Sequence, residues 1–151
     1  MKEFKKILFP VDLSESSTKI APYALMVANT FKAEIHLLFV ARELNYFTGI
    51  YVPSVSVSGF QKEIIEGAEK RLDEFLDEHF KESSDAVGTV VSGDASSQIV
   101  KYVEANGIDL IIMGTHGRKA LNEVIFGSVS DRVVKTAPVP VMVVNPHRVA
   151  D

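Results

Sequence analysis

The sequence predicts an α/β protein in which a parallel sheet is covered by helices on both faces. Short apolar runs alternate with longer amphipathic runs, and this alternation is typical of strands joined by crossover helices. The apolar runs are apolar almost throughout, as expected for strands that are buried on both faces. The chain has 151 residues, which is the length of one domain, so we predict a single domain over residues 1–151.

Two strands and one helix are predicted in the first part of the chain. Lys5–Val11 is the first strand, and residues 12–17 are rich in side chains that cap helices. Apolar residues at helical spacing then continue to Phe31. Pro22 either lies in the first turn of a late-starting helix or kinks the segment, because proline donates no backbone hydrogen bond. Glu34–Ala41 is the second strand.

The stretch from Arg42 to Gly59 is the least regular part of the sequence, and it contains aromatic residues followed by alternating valine and serine. Long irregular stretches are usually lids, binding loops or disordered segments. Two interpretations stay open: a lid near a ligand, or a surface insertion or partner-facing strand. From Phe60 to Phe80 an apolar stripe at helical spacing predicts a long helix, and its acidic residues form a solvated face.

The second half of the chain repeats the alternation of strands and helices. The predicted elements are, in order, a strand at Val87–Val91, a helix at Ala95–Asn106, a strand at Asp109–Met113, a helix at Ser128–Thr136 and a strand at Val139–Val144. Asp94 can cap the start of the first of these helices, and Gly107 can end it. His36, inside the second strand, is interpreted as a structural residue with no functional role.

Composition and charge exclude several classes of function. The formal net charge of -4 is spread over both signs, which argues against a nucleic-acid partner. Cysteine is absent, which excludes disulfides and thiolate chemistry and fits a reducing cytoplasm. No apolar stretch is long enough to span a bilayer or to form a signal peptide. We therefore predict a cytoplasmic protein without a membrane partner.

Glycines and serines with a defined spacing follow the fourth predicted strand. Gly114-Thr115-His116-Gly117 comes directly after the strand, and Gly127-Ser128-Val129-Ser130 opens the last helix after nine intervening residues. Glycines let backbone N–H groups approach a ligand, and a helix N-terminus attracts anions, so the spacing favours a phosphate site. The alternative is that these are ordinary turn and cap glycines. The standard P-loop and dinucleotide fingerprints are both absent from the sequence.

Three segments together resemble the universal stress protein family, specifically its ATP-binding branch. They are Ile7-Leu8-Phe9-Pro10-Val11-Asp12 with Ser14-Glu15, then Ile111 to Arg118, and then Gly127-Ser128-Val129-Ser130 through Pro138 to Val144. The resemblance implies a single-domain, Rossmann-like open sheet of five parallel strands in the order 3-2-1-4-5, with helices on both faces. The first and fourth strands would then be neighbours, and a crevice would open at their carboxyl ends.

The resemblance also implies which residues bind the nucleotide. They are Pro10, Val11, Asp12, Val40, Met113, Gly114, His116, Gly117, Arg118, Gly127, Ser128, Val129 and Ser130. By the family's pattern, Val11 and Val40 would contact adenine, and Asp12 would accept hydrogen bonds from the ribose. Gly114, His116 and Gly117 would border ribose and phosphates. The segment from Gly127 to Ser130 would hold the phosphate tail.

Three of these expectations have alternatives or departures. Asp12 could cap the first helix instead of binding ribose. Arg118 is as compatible with solvent as with a phosphate. Leu13 stands where many relatives have glycine, which predicts a differently shaped turn after the first strand.

The function that the resemblance implies is that of an ATP-binding regulator of the stress response. Its cofactor would be ATP, with Mg or Mn held through the phosphates. No dedicated catalytic set is evident, because no carboxylate stands near His116 in sequence, so hydrolysis is expected to be slow at most. The alternatives are an ATP-using enzyme of the adenine-nucleotide α/β hydrolase type and an interaction module that binds no nucleotide.

The last predicted strand, Val139–Val144, is apolar and is expected at an edge of the sheet, where Pro138 and Pro140 are tolerated. By the family's pattern it would pair with its copy in a homodimer, which removes an aggregation-prone edge. The alternative is an edge shielded within the monomer. A protein partner of unknown identity is also expected.

Overall fold

The computed structural model describes residues 3–42, 54–83, 85–115 and 127–149. These ranges contain five strands and four helices that alternate along the chain. They are β1 (Lys6–Val11), α1 (Glu15–Phe31), β2 (Glu34–Ala41), α2 (Ser54–His79), β3 (Val87–Ser92), α3 (Ala95–Asn106), β4 (Leu110–Gly114), α4 (Ser128–Thr136) and β5 (Val141–Val144). All four neighbouring strand pairs are parallel, in the order β3-β2-β1-β4-β5. The predicted fold class and strand order are confirmed.

Two apolar cores lie on opposite faces of this sheet, because successive strand residues point to opposite sides. On one face, Ile7 and Phe9 of β1 pack with α1 and α2. On the other face, Leu8 packs with Ile99 of α3 and Val133 of α4. Each strand of the centre therefore contributes to both cores, which explains why its sequence is apolar almost throughout.

Several local predictions are confirmed residue by residue. The bounds of β2, α3 and α4 agree with those predicted from the sequence. Asp94 caps α3, and Gly107 ends it with a φ of 64°, in the left-handed region. Helix α1 begins at Glu15 and contains Pro22 in its interior, so the late-starting helix is excluded.

His36 is buried, and its ring nitrogens lie 2.6 Å from Glu34 Oε1 and from the Tyr102 hydroxyl. Both ring nitrogens therefore have hydrogen-bond partners within the protein, as expected for a structural residue.

Several element boundaries differ from the prediction, most of them by one residue. Helix α2 begins at Ser54, so assigning the irregular stretch as far as Gly59 was wrong for its last six residues. Alternating valine and serine resemble a strand locally, but helix formation is cooperative and extends from the long amphipathic segment that follows. Strand β5 begins at Val141, because Pro140 lacks the N–H that a ladder requires. Residues 43–53 lie outside the described part of the chain.

The fourth strand is shifted by one residue from the predicted Asp109–Met113. Asp109 lies before β4, where its Oδ2 accepts the backbone N–H groups of Lys5 and Lys6 at 2.9 and 3.0 Å. This contact ties the amino ends of β1 and β4 together. Among the described helices, none is both long enough and apolar enough to cross a membrane.

Candidate functional site

The candidate site lies where β1 and β4 end, at the reversal of strand order. The two strands are direct neighbours, paired at Ile7 with Leu110 and at Leu8 with Ile111. After β1 the chain passes to α1 on one face, whereas α4 packs on the opposite face. Connections that leave a sheet on opposite faces open a crevice at the carboxyl ends of the strands.

The two halves of the glycine spacing meet beside this crevice. The backbone N–H of Gly127 donates to the carbonyl oxygen of Thr115 at 2.6 Å. The Ser130 hydroxyl, which is buried, lies 3.2 Å from the same oxygen and 3.0 Å from the Gly127 carbonyl. The Thr115 N–H in turn donates to Val144 of β5 at 2.9 Å. Segments that are more than ten residues apart in the chain therefore form one structural unit at the end of β4.

Gly127 is the N-cap of α4, and its backbone conformation is extended, with φ -69° and ψ 155°. Within the described residues, no side chain caps this helix. A Cβ added at Gly127 would lie 3.3 Å from the Thr115 carbonyl oxygen, closer than an ordinary contact. Glycine thus allows the close approach between the end of β4 and the start of α4, and in the part of the chain that the structure describes no side chain caps the first amides of α4.

Ser128 and Val129 follow in the first turn of α4. Ser128 is exposed, and Val129 is half-buried against the core that α3 and α4 share. The acidic residue of this turn, Asp131, lies 3.1 Å from Lys135, so its charge is partly offset. The uncapped amides, the positive end of the helix dipole and the exposed Ser128 hydroxyl together form an environment that favours an anion.

The turn between β1 and α1 forms the other wall of the crevice. Oδ1 of Asp12 accepts three hydrogen bonds, from the Ser14 N–H at 2.9 Å, the Ser14 hydroxyl at 2.5 Å and the Ser17 hydroxyl at 2.8 Å. The N-cap of α1 is Ser14, whose hydroxyl oxygen accepts the N–H of Ser16. The hypothesis that Asp12 itself is the helix cap is therefore wrong, because its carboxylate organises the turn that precedes the cap.

Leu13 has a φ of 62°, in the left-handed region that favours glycine. The chain therefore adopts here a backbone conformation that glycine would adopt without strain, although a branched side chain occupies the position. Leu13 packs partly buried against the core that contains Val11. The turn thus keeps a glycine-like backbone. The partial burial of the Leu13 side chain offsets the strain of its backbone.

Apolar residues of the predicted site lie on the three central strands β1, β2 and β4, and Val11 and Val40 are the two that were predicted to contact adenine. Val40 on β2 and Met113 on β4 pack into the same core as Val129 of α4. Val11 is buried at the end of β1, and Pro10 beside it is half-buried. These residues lie at or near the carboxyl ends of their strands or in the adjoining core, and their contact with a nucleotide stays a prediction.

The remaining predicted residues, His116, Gly117 and Arg118, lie outside the described part of the chain. Two residues of the site were not predicted from the sequence. Ser17 bonds to Asp12, and the carbonyl of Thr115 joins the two glycine segments. The position of Ser17 in the first turn of α1, five residues after Asp12, is the only sequence signal that points to its role.

A second helix N-terminus, that of α3, lies close to α4. Oδ2 of its N-cap Asp94 accepts the N–H and the hydroxyl of Ser97 at 3.1 and 2.8 Å, and the hydroxyl of Ser96 at 3.0 Å. The bonds from Ser97 and then Ser96 lower the pKa of Asp94 from its ordinary value, with a smaller contribution from Arg132, 3.9 Å away on α4. This helix end is satisfied by its own side chains.

Known proteins with the same architecture are close in both sequence and structure. The universal stress protein MJ0577 of Methanocaldococcus jannaschii is 34% identical over 160 residues, covering 94% of this chain and 95% of the relative. The solved structure of MJ0577 superimposes with a TM-score of 0.84 and covers 99% of this chain and 100% of that one, at 29% identity.

Two more distant structures share the fold and were solved with nucleotides. A universal stress protein family protein of Arabidopsis thaliana with AMP bound has a TM-score of 0.65 at 20% identity, covering 93% of this chain and 91% of that one. A universal stress protein in complex with cAMP has a TM-score of 0.60 at 17% identity, covering 96% and 99%.

The family match extends over almost the whole chain. The universal stress protein family model matches residues 3–145, which include all five strands, all four described helices and both walls of the crevice. The relationship to MJ0577 covers nearly the full length of both proteins. The chain therefore belongs to the universal stress protein family.

Proposed function

We propose that this chain binds ATP in the crevice between β1 and β4 and acts as a regulator of the stress response. The observation that carries the proposal is the start of α4, where Gly127 replaces a capping side chain and approaches the end of β4. Nucleotides bound to two structures of the same fold support an adenine nucleotide as the ligand. Residues 1–151 would form a single domain.

The phosphates would lie at the start of α4. The backbone N–H groups of Ser128, Val129 and Ser130 would donate to phosphate oxygens, as at other helix N-termini. The buried Ser130 hydroxyl shapes this turn through its contacts with the Thr115 and Gly127 carbonyls. Gly114, together with the predicted His116, Gly117 and Arg118, would border the ribose and the phosphates.

The nucleoside would lie across the ends of β1 and β2. Val11, Val40 and Met113 supply apolar contacts for adenine, and Pro10 shapes the end of β1 beside them. Asp12 would accept hydrogen bonds from the ribose hydroxyls. The carboxylate is held by Ser14 and Ser17, which favours this role because a fixed acceptor loses little entropy on binding.

Binding rather than turnover is the proposed activity, with hydrolysis that is slow at most. A divalent ion, Mg or Mn, would be held mainly by the phosphates and water. In the described part of the chain, no group of three or more histidine or acidic side chains is arranged to hold a metal ion. The protein would be cytoplasmic, and the nucleotide would change its surface for a protein partner.

A homodimer through β5 completes the proposal. Strand β5 lies at an edge of the sheet, and Met142 and Val143 are 39% and 36% exposed. Val134 of the adjoining α4 is 46% exposed. Pairing of β5 with its copy would cover these side chains and remove an open edge. Sedimentation would test this: the wild type should be a dimer, and Met142→Lys should shift it towards monomer.

Thermal unfolding with and without ATP tests the nucleotide proposal. ATP-Mg at 100 times its dissociation constant should raise the free energy of unfolding by about 2.7 kcal/mol, which gives a clear rise in Tm. Tripolyphosphate and GTP, added separately, would measure the contributions of the phosphates and the base. No rise in Tm with millimolar ATP-Mg would contradict the proposal. Rapid phosphate release at saturating ATP would favour an enzyme instead.

A further inference from the structure

Ser17 is a buried polar residue that makes two hydrogen bonds with Asp12. Its hydroxyl oxygen accepts the backbone N–H of Asp12 at 3.1 Å, and the hydroxyl donates to Asp12 Oδ1 at 2.8 Å. A serine hydroxyl has one donor and two acceptor positions, so both bonds can form together. Ser17 therefore holds the main chain and the side chain of Asp12 at the same time.

Ser14 also holds this carboxylate, but it is anchored in a different place. Ser14 is two residues from Asp12 in the same turn, and its hydroxyl also accepts the N–H of Ser16 as the cap of α1. Ser17 is 4% exposed, in the buried face of α1 that includes Ile20 and Ala21. The Ser17 bond therefore ties the Asp12 carboxylate to the packed body of α1.

The backbone at Leu13, between Asp12 and Ser14, is strained, so contacts that hold the neighbouring residues are needed to maintain the turn. Leu13, directly after Asp12, lies in the left-handed region with a φ of 62°, where a branched side chain is strained. A turn of this kind persists when surrounding contacts hold it in place. The two bonds from Ser17 hold the residue immediately before the strained position.

We propose that Ser17 is the positioning residue that fixes the Asp12 carboxylate for a ribose diol, and that it thereby contributes to selection of ribonucleotides. This inference rests on the proposed function, because it assumes that Asp12 contacts the ribose. Ser17 itself does not contact the nucleotide. Its effect on affinity comes from holding an acceptor in place before the ligand arrives, which reduces the entropic cost of binding.

The test compares ATP with 2′,3′-dideoxy-ATP, which lacks both ribose hydroxyls, by calorimetric titration. The wild type should bind ATP at least about tenfold more tightly, as expected for hydrogen bonds to a charged group. Ser17→Ala should weaken ATP binding by about three- to tenfold and leave the affinity for the dideoxy nucleotide unchanged. Both dissociation constants are measured on one preparation. An error caused by a loss of folded protein therefore affects both equally and cancels in their ratio.

Ser16→Ala is the matched control, because this residue lies in the same turn of α1 and its side chain makes no contact with Asp12 that is described in the structure. It should keep the ratio of the wild type. Asp12→Ala should bring the ratio close to one. If Ser17→Ala kept the wild-type ratio, or weakened both nucleotides equally, the positioning role would be overturned while the ribose contact stood. Equal affinity of the wild type for both nucleotides would overturn the ribose role of Asp12 and this inference together.

Discussion

The N-termini of α3 and α4 are neighbours, but their N-caps differ. At α3, Asp94 accepts hydrogen bonds from both the main chain and the hydroxyl of Ser97, so the helix start is satisfied within the protein. At α4, Gly127 offers no side chain, and among the described residues nothing caps the helix by a side chain. A satisfied helix end stabilises the fold, whereas an open one can bind an external anion.

The serines of the two helices show the same difference. The hydroxyls of Ser96 and Ser97 both donate to the Asp94 carboxylate, so they add to the cap. The Ser130 hydroxyl donates instead to backbone carbonyls at the end of β4 and at Gly127, so it shapes the turn and does not occupy the amides. Similar residue types therefore serve stability at α3 and, by the proposal, ligand binding at α4.

Copying the α3 arrangement onto α4 gives the largest expected effect. In Gly127→Asp, a carboxylate would cap the amides that the phosphates require and would repel them by its charge. We expect ATP affinity to fall by about 100-fold, since like charges placed together cost several kcal/mol. Calorimetric titration of the folded variant would measure this.

Two controls separate charge from size in this experiment. Gly127→Asn should cap the helix as well as aspartate does but without the charge, and should lose less affinity. Gly67→Asp places the same side chain on α2, where a Cβ would meet nothing within 4 Å. Affinity that stays within twofold of the wild type in Gly127→Asp would show that the phosphates do not lie at α4.

Removing the cap of α3 should affect stability and not binding. Asp94→Ala deletes the acceptor of three hydrogen bonds, and the loss of a helix cap costs about 1 kcal/mol. Urea unfolding should show this loss, while ATP affinity stays within about twofold. A larger loss of affinity than of stability would mean that α3 also takes part in the ligand site.

At the C-terminal end of α1, a substitution should change stability by a similar amount but in the opposite direction. Lys32 ends α1 with a φ of 54°, whereas α3 ends with glycine in the same conformation. Lys32→Gly should stabilise the protein by about 1 kcal/mol, because a residue with a Cβ is strained in the left-handed region. ATP affinity should not change, since this helix end lies beside the amino ends of the strands, opposite the carboxyl ends where the crevice opens. Destabilisation in urea unfolding would contradict the expectation.

The smallest effect is a dependence of stability on pH. The folded protein lowers the pKa of Asp94, chiefly through the hydroxyl and N–H of Ser97, so the ionised form stabilises the fold. This stabilisation is fully present above the ordinary pKa of about 4 and is lost as the pH falls through the lowered value.

Asp94→Asn isolates this contribution. The difference in free energy of unfolding between wild type and variant should be less than about 1 kcal/mol at pH 7, because Asp94 is partly exposed, and it should close towards pH 3. Urea unfolding at a series of pH values would measure it. A difference that stayed constant with pH would exclude the ionisation of the Asp94 carboxyl as its source.

Much of the fold and part of the site could be predicted from the sequence. The alternation of apolar and amphipathic runs predicts β2, α3 and α4 with their observed bounds, because a strand buried on both faces and a helix buried on one face each leave a strong local pattern. The start of α2 could not be predicted in this way. Residues 54–59 have a local pattern that resembles a strand, and their helical state follows from the long helix that they extend.

The sequence by itself determined the element order, the caps of α3 and the glycine spacing, because these depend on residues close together in the chain. Only the tertiary structure decided that Asp12 is held from α1 by Ser17, and that the Thr115 carbonyl joins Gly127 and Ser130. Such hydrogen bonds depend on distance in space. Spacing in the sequence therefore pointed to an anion at α4. The packing shows that glycine permits the close approach of α4 to the end of β4, where no side chain of the described residues caps the helix.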